Sequence, residues 1–191
     1  MAKAIVISGT PGVGKTSVAR KLAENLNAKH YNLSELALER KAILEYDKER
    51  DTYIIDEEKL LNEILSIISK SPNTIIFEGH YGELIPHQYV EKLIVLRLNP
   101  TVLKERLKSK GWSLKKILEN VEAELIGVCT YNALKEYPED KVCEVDVTDK
   151  SIDEIVSEIM NIVTHGVKRD NYIDWLEKLS PEELKRVFDD C

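Results

Sequence analysis

Nearly continuous apolar runs recur at Ala4-Ile5-Val6-Ile7-Ser8, Thr74-Ile75-Ile76-Phe77 and Leu93-Ile94-Val95-Leu96-Arg97-Leu98. Such runs predict strands buried on both faces, since they leave almost no position for water. Val142-Cys143-Glu144-Val145-Asp146-Val147 alternates instead, which predicts an edge strand, and Lys29-His30-Tyr31 is a weaker fifth. Helix-period patterns fill the intervals at 15–27, about 33–43, 56–69, 100–109, 113–136 and 151–164. Asp56, Asn99-Pro100, Ser113 and Ser151 supply start signals, because a short polar side chain can cap the orphan N–H groups of a first turn. Strand and helix in alternation imply an α/β chain with a parallel sheet covered on both faces. Two stretches break the rhythm. Residues 44–55 are highly charged without clear periodicity and read as a mobile insertion over the functional edge of the sheet. Residues 165–191 read as two short helices, the second opening Ser180-Pro181-Glu182-Glu183 with cap, proline and first-turn acids in order. This acidic tail is expected to be a solvated terminal appendage.

With 191 residues the chain has about one domain's length and can bury a substantial core. Apolar residues at 43% and charged residues at 32% exclude a disordered chain, and no apolar run approaches a membrane span. The first residues enter a strand directly and show no secretory signal, so a cytoplasmic location is expected. Cys129, Cys143 and Cys191 are scattered and lack metal-binding spacing, which agrees with a reducing compartment and no metal framework. A net charge of −7 makes direct nucleic-acid binding an unfavourable expectation and favours basic protein as any large partner.

Gly9-Thr10-Pro11-Gly12-Val13-Gly14-Lys15-Thr16 matches the phosphate-binding pattern G-x-x-x-x-G-K-[ST] in full. It follows the first buried strand and opens a helix, the context the pattern requires. Gly12 and Gly14 let successive N–H groups turn inward into an anion nest, and the helix start adds its positive dipole end. Lys15 is expected to reach the β- and γ-phosphates of ATP, facing solvent when no nucleotide is bound. Thr16 is expected to ligate Mg²⁺, with Ser17 beside it in the cofactor-binding turn. A GTPase would need a guanine-reading Asn-Lys-x-Asp segment, and none occurs.

Strand 74–77 runs into Glu78-Gly79-His80, placing a carboxylate at the strand end where open α/β sheets bind ligands. Glu78 is read as holding Mg²⁺, through a water of the ion, or orienting an acceptor phosphate, the alternative being an ordinary strand-end acid. Arg106 and Lys110 share one helix face at four-residue spacing, suiting a lid whose cations close on phosphates; the alternative is a solvated basic face. His30, His87 and His165 show no ligand spacing and read as structural or surface residues.

Together these residues resemble the adenylate kinase isoenzyme 6 family, over roughly residues 3–163. The resemblance rests on the loop at 9–16, the run Tyr31-Asn32-Leu33-Ser34-Glu35-Leu36-Ala37, and Tyr46-Asp47 with Ile55-Asp56-Glu57-Glu58. It rests also on Glu78-Gly79-His80 and on the stretch from Val95-Leu96-Arg97 through Trp112. It implies a nucleoside-monophosphate-kinase-like fold over 1–164, with a five-stranded parallel sheet, a monophosphate-binding segment near 30–53 and a lid near 101–112. Residues 165–191 lie outside it as a small helical extension. The implied activity is ATP-to-AMP phosphotransfer with modest ATPase, in small ribosomal subunit maturation with a basic small-subunit ribosomal protein as partner. His80 is tied in the family to hydrolysis, through positioning water or relaying a proton near neutral pH; the alternative is a structural hydrogen bond. The chain departs from the family at Glu78, where an aspartate is usual, and at Leu38, where some relatives carry a basic residue. Arg40 or Lys41 is the replacement expected at that second position. The rival from another class is an ATP-gated assembly factor with incidental kinase turnover; a kinase for a small alcohol is disfavoured by the lack of a clear general base.

Overall fold

The computed structural model describes residues 3–48, 52–166 and 172–189. In chain order the elements are β1 (Ala4–Gly9), α1 (Lys15–Leu26), β2 (Lys29–Asn32), α2 (Leu33–Glu39), β3 (Ile43–Asp47) and β4 (Thr52–Ile55). There follow α3 (Glu57–Lys70), β5 (Ile75–Glu78), β6 (Val90–Arg97), α4 (Pro100–Ser109), α5 (Leu114–Leu125) and α6 (Val128–Glu136). The chain closes with β7 (Val142–Asp146), α7 (Ile152–His165), α8 (Trp175–Lys178) and α9 (Pro181–Phe188).

Five strands form one parallel sheet in the order β2-β5-β1-β6-β7. The alternating strand therefore lies at an edge, as its pattern predicts, and the weak strand at 29–31 forms the other edge. Strand pleat divides the core. Ile5, Ile7, Ile76, Ile94 and Leu96 face α1, α4, α5 and α7, whereas Ala4, Val6, Ile75, Phe77 and Val95 face α2, α3 and α6. The polar start residues do what their chemistry predicts: Asp56, Asn99 and Ser113 accept backbone N–H groups, and Ser151 and Ser180 each form a reciprocal capping box.

Four expectations need correction. The helix expected over 113–136 is two helices, broken at Ile126-Gly127. Gly127 adopts φ 68°, and a Cβ there would lie 3.3 Å from Arg97 Nη1, so the backbone turns where a side chain has no place. The helix expected to reach residue 43 stops at Glu39, because Lys41 enters the left-handed region at φ 55° and Ile43 joins a strand. The charged stretch 44–55, expected to lack regular structure by its want of periodicity, carries two strands: its described residues pair antiparallel, with the Tyr46 and Tyr53 rings 5.1 Å apart across the strands. The last correction concerns the tail. Trp175, Leu179 and Val187 are buried in the same core as α1 and α7, so its described residues are structural rather than a solvated appendage. Lys104, buried on α4, donates its ammonium protons to the carbonyls of Arg186 (2.8 Å) and Asp189, placing a cation at the negative end of α9.

Candidate functional site

The register of the sheet assembles the site. Glu78, last residue of β5, stands between Ile7 of β1 and Asn32 of β2, beside the loop that leaves β1. That loop turns through glycines: Gly14 caps α1 at φ 109°, and Gly12 sits at φ 99°. A Cβ on Gly12 would stand 2.7 Å from Leu107 and 2.9 Å from Leu103, so the loop lies directly on α4. Lys15 is folded back onto this loop, Nζ donating to the carbonyls of Gly9 (2.8 Å) and Thr10 (3.2 Å). It does not face solvent as expected, because the carbonyls of Gly9 and Thr10 offer its ammonium group acceptors within the loop. Burial lowers its pKa, opposed by the nearby Cys129, Glu78 and Glu124.

Thr16 Oγ1 donates to Glu78 Oε1 at 2.8 Å, and Asn32 Nδ2 donates to the same oxygen at 2.6 Å. His30 Nε2 approaches it to 3.8 Å. Burial works to raise the pKa of Glu78, but His30, Thr16, Lys15 and Asn32 together overturn that and lower it, so Glu78 is a carboxylate. A hydroxyl and an ionised carboxylate held side by side are hard oxygen donors, and they fit Mg²⁺ carried with nucleotide phosphates. Among the described residues there is no cluster of three His, Cys, Asp or Glu that would hold a resident metal ion alone.

These groups open into one cavity of about 570 Å³. Lys15, Thr16, Glu78 and His80 line it, together with Asn32, Ser34, Thr52, Trp112, Lys116 and Asn120. His80 packs on Tyr81 with ring centroids 3.6 Å apart, and burial and then the charge of Lys15 lower its pKa to about 4. It is therefore neutral at pH 7. Of the other expected site residues, Gly12 and Gly14 shape the loop backbone, and Ser17 is exposed on the first turn of α1. Arg106 and Lys110 are exposed and do not line the cavity. Arg106 Nη1 nevertheless lies 3.5 Å from the Val13 carbonyl, and the Lys110 charge is felt at Lys15. Neither Arg40 nor Lys41 reaches the cavity: Arg40 lies 3.6 Å from Glu63, and the Lys41 carbonyl accepts from Lys59.

His30 stands beside Glu78 and does not line the cavity, which agrees with its structural reading; Asn32, named in sequence only within the run 31–37, is a site residue. Asn32 serves two elements, its Oδ1 capping α2 through the N–H groups of Ser34 and Glu35 while its amide holds Glu78. An Asn between a strand and a helix carries that cap signal in sequence; its second bond depends on the pairing of β2 with β5, which sequence does not show. Asn120, Asn132 and Cys129 gave no signal, being ordinary positions on amphipathic helices.

A family model described as an AAA domain matches residues 5–127. A protein of Methanocaldococcus jannaschii is 38% identical over 174 residues, covering 91% of this chain and 93% of its own. One from Pyrococcus furiosus is 43% identical over 179 residues, covering 90% of each. Both carry the name "Putative adenylate kinase". The chain belongs to this adenylate kinase-like family. Among solved structures, shikimate kinase from Bacteroides thetaiotaomicron superposes with a TM-score of 0.59 at 17% identity, covering 84% of this chain and 98% of that one. A gluconokinase from Sinorhizobium meliloti gives 0.54 at 17% identity, over 85% and 92%. These likenesses show a shared phosphate-loop α/β fold around the sheet that the adenylate kinase-like chain builds. No helix among its described residues is long and apolar enough to cross a membrane.

Proposed function

We propose that this chain is a nucleotide kinase that transfers the γ-phosphate of ATP to AMP, with a slow ATPase side reaction. The observation that carries this reading is the union of Lys15 and the Thr16–Glu78 pair with amide and hydroxyl groups in one cavity. Phosphoryl transfer asks for positioning and charge neutralisation, and no protein nucleophile is needed. Lys15 would move from its own carbonyls to the phosphates, and Thr16 and Glu78 would hold Mg²⁺. When bound, the ion neutralises charge on the transferring phosphoryl group. Arg106 and Lys110, on the last turn and C-cap of α4, add cations from the lid side. Asn32, Ser34 and Thr52 face the acceptor. His80, neutral in the empty site, orients water in the absence of AMP. A coupled assay across nucleoside monophosphates, with an acceptor-free control, tests this. ADP formation should depend on the acceptor and be fastest with AMP; equal rates with and without every acceptor would overturn the kinase reading.

The second reading, an ATP-gated factor in small ribosomal subunit maturation that binds a basic ribosomal protein, is favoured by the net charge of −7. It is favoured also by a second cavity of about 340 Å³ lined by Glu57, Glu83 and Glu136.

A further inference from the structure

Arg97, Glu124 and Glu144 are each at most 2% exposed and stand outside the cavity. Buried charges persist only when their hydrogen bonds are met, and here the partners come from two distant parts of the chain. Glu124 Oε1 accepts from Arg97 Nε (2.8 Å), from the Leu98 N–H (3.1 Å) and from Trp175 Nε1 (3.1 Å). Its other oxygen, Oε2, accepts from Thr10 Oγ1 at 2.6 Å. Thr10 belongs to the phosphate loop, and its carbonyl is one of the two that hold Lys15. The segment before α8 completes the cluster: the Ile173 N–H donates to Glu144, and its carbonyl accepts from Arg97 Nη1 at 3.2 Å.

We propose that Glu124 is a positioning residue for the phosphate loop, and that Trp175 of the C-terminal segment orients it. A continuous chain of hydrogen bonds runs from the Trp175 indole through both carboxylate oxygens of Glu124 to Thr10, and from the Thr10 carbonyl to Lys15. A carboxylate fixed on one oxygen by Arg97, Leu98 and Trp175 has its second oxygen aimed in one direction, and that direction fixes the Thr10 side chain. The C-terminal segment is thereby a working part of the ATP site although it does not line it. This inference rests on reading the loop as an ATP site.

The test measures equilibrium ATP binding, together with KM for ATP and for AMP, in the full chain. Thr10→Val removes the hydroxyl donor at nearly constant volume and should weaken ATP binding about 3- to 10-fold, the worth of one hydrogen bond. Thr10→Ser keeps the donor and should stay within about twofold of wild type. Trp175→Phe removes the indole N–H while keeping a ring in the core, and should weaken ATP binding by a similar factor with KM for AMP unmoved. Combined with Thr10→Val it should add no more than about twofold, because both act along one path. Measured well below the Tm of every variant, where all are fully folded, a merely destabilised chain keeps wild-type ATP affinity. Thr10→Val within twofold of wild type, Thr10→Ser as weak as Thr10→Val, or multiplying effects in the double variant would each overturn the proposal. A folded Trp175→Phe within twofold of wild type would overturn the orienting role of Trp175, and the Thr10 pair decides the link from Glu124 to the loop even if that variant fails to fold. Wild-type protein that binds no ATP would overturn the reading of the loop itself, an outcome distinct from a loop that binds ATP but ignores Trp175.

Discussion

Lys15 spends two hydrogen bonds on its own loop in this structure, so nucleotide must draw it away from Gly9 and Thr10. Lys15→Ala removes a charge that matters most as charge shifts in the transition state, and turnover should fall ~10²–10³-fold. The fold should survive, because a partly buried cation is removed along with its bonds; Tm should move by less than about 4 °C. A variant within twofold of wild-type turnover would remove Lys15 from the mechanism. His80 separates the two chemical outcomes. If it orients water, His80→Ala should reduce acceptor-free ATPase by ~10–10³-fold and transfer to AMP far less, since AMP brings its own nucleophilic oxygen. Parallel losses with a lowered Tm would mark His80 as structural. Cys129 carries a pH prediction. Burial pushes its thiol up to about 11, from 9.0, in spite of the Lys15 charge. The unfolded chain therefore gives up this proton first as pH rises, and the thiol's contribution to stability, complete below pH 9, is lost between about pH 9 and 11. Alkylation of Cys129 at pH 8, followed by mass spectrometry, should be slow in the folded protein and fast in denaturant; equal rates would contradict the raised pKa of the thiol.

Elements were legible where local chemistry and tertiary environment agree. The buried strands announced themselves because both faces are covered, and Asp56, Asn99, Ser113, Ser151 and Ser180 marked helix starts because a cap is a local bond. The loop with Lys15 and Thr16 was legible for the same reason, its function lying in eight consecutive residues. Non-local pairing hid the rest. The hairpin of β3 and β4 combines polar and apolar residues on exposed strands, so no period emerges from its sequence. The break at Gly127 follows from Arg97, thirty positions earlier, and the burial of the tail follows from Trp175 meeting Glu124. That meeting makes the tail costly to remove. A chain ending at Gly166 loses the burial of Trp175, Leu179 and Val187, each worth about 1.5–3 kcal/mol, and strips donors from Glu124 and Glu144. The loss is a large part of a typical domain's stability, so Tm should fall by at least ~10–20 °C, or cooperative unfolding should vanish. A truncated chain that melts with the full one would return α8 and α9 to the role of appendage.

At the scale of the whole molecule, acidity is the property that neither the loop nor the sheet explains. The net charge of −7 spreads a negative field, and Glu57, Glu83 and Glu136 line one concavity of it. Burial raises the pKa of Glu83, and the nearby Glu57 and Glu136 add to this, so a cation entering the cavity would relieve repulsion already present. If a basic ribosomal protein is the partner of the second reading, attraction between exposed charges should be screened beyond ~8 Å at physiological ionic strength. Its affinity should fall steeply with added salt, mostly through slower association. Truncation cannot ask whether the tail contributes, since it would take part of the core with it. Charge reversal can: Glu177 and Glu182 are exposed on α8 and α9, and Glu177→Lys with Glu182→Lys leaves Trp175 and Val187 in place. Binding of purified basic small-subunit proteins should be titrated across a salt series for both chains, with Tm as the control for folding. The double variant should bind about 3- to 10-fold more weakly at low salt and approach wild type at high salt, where screening erases the difference. Salt-independent binding would exclude electrostatic docking, and equal affinities at low salt would take the tail out of the interface while leaving its place in the core untouched.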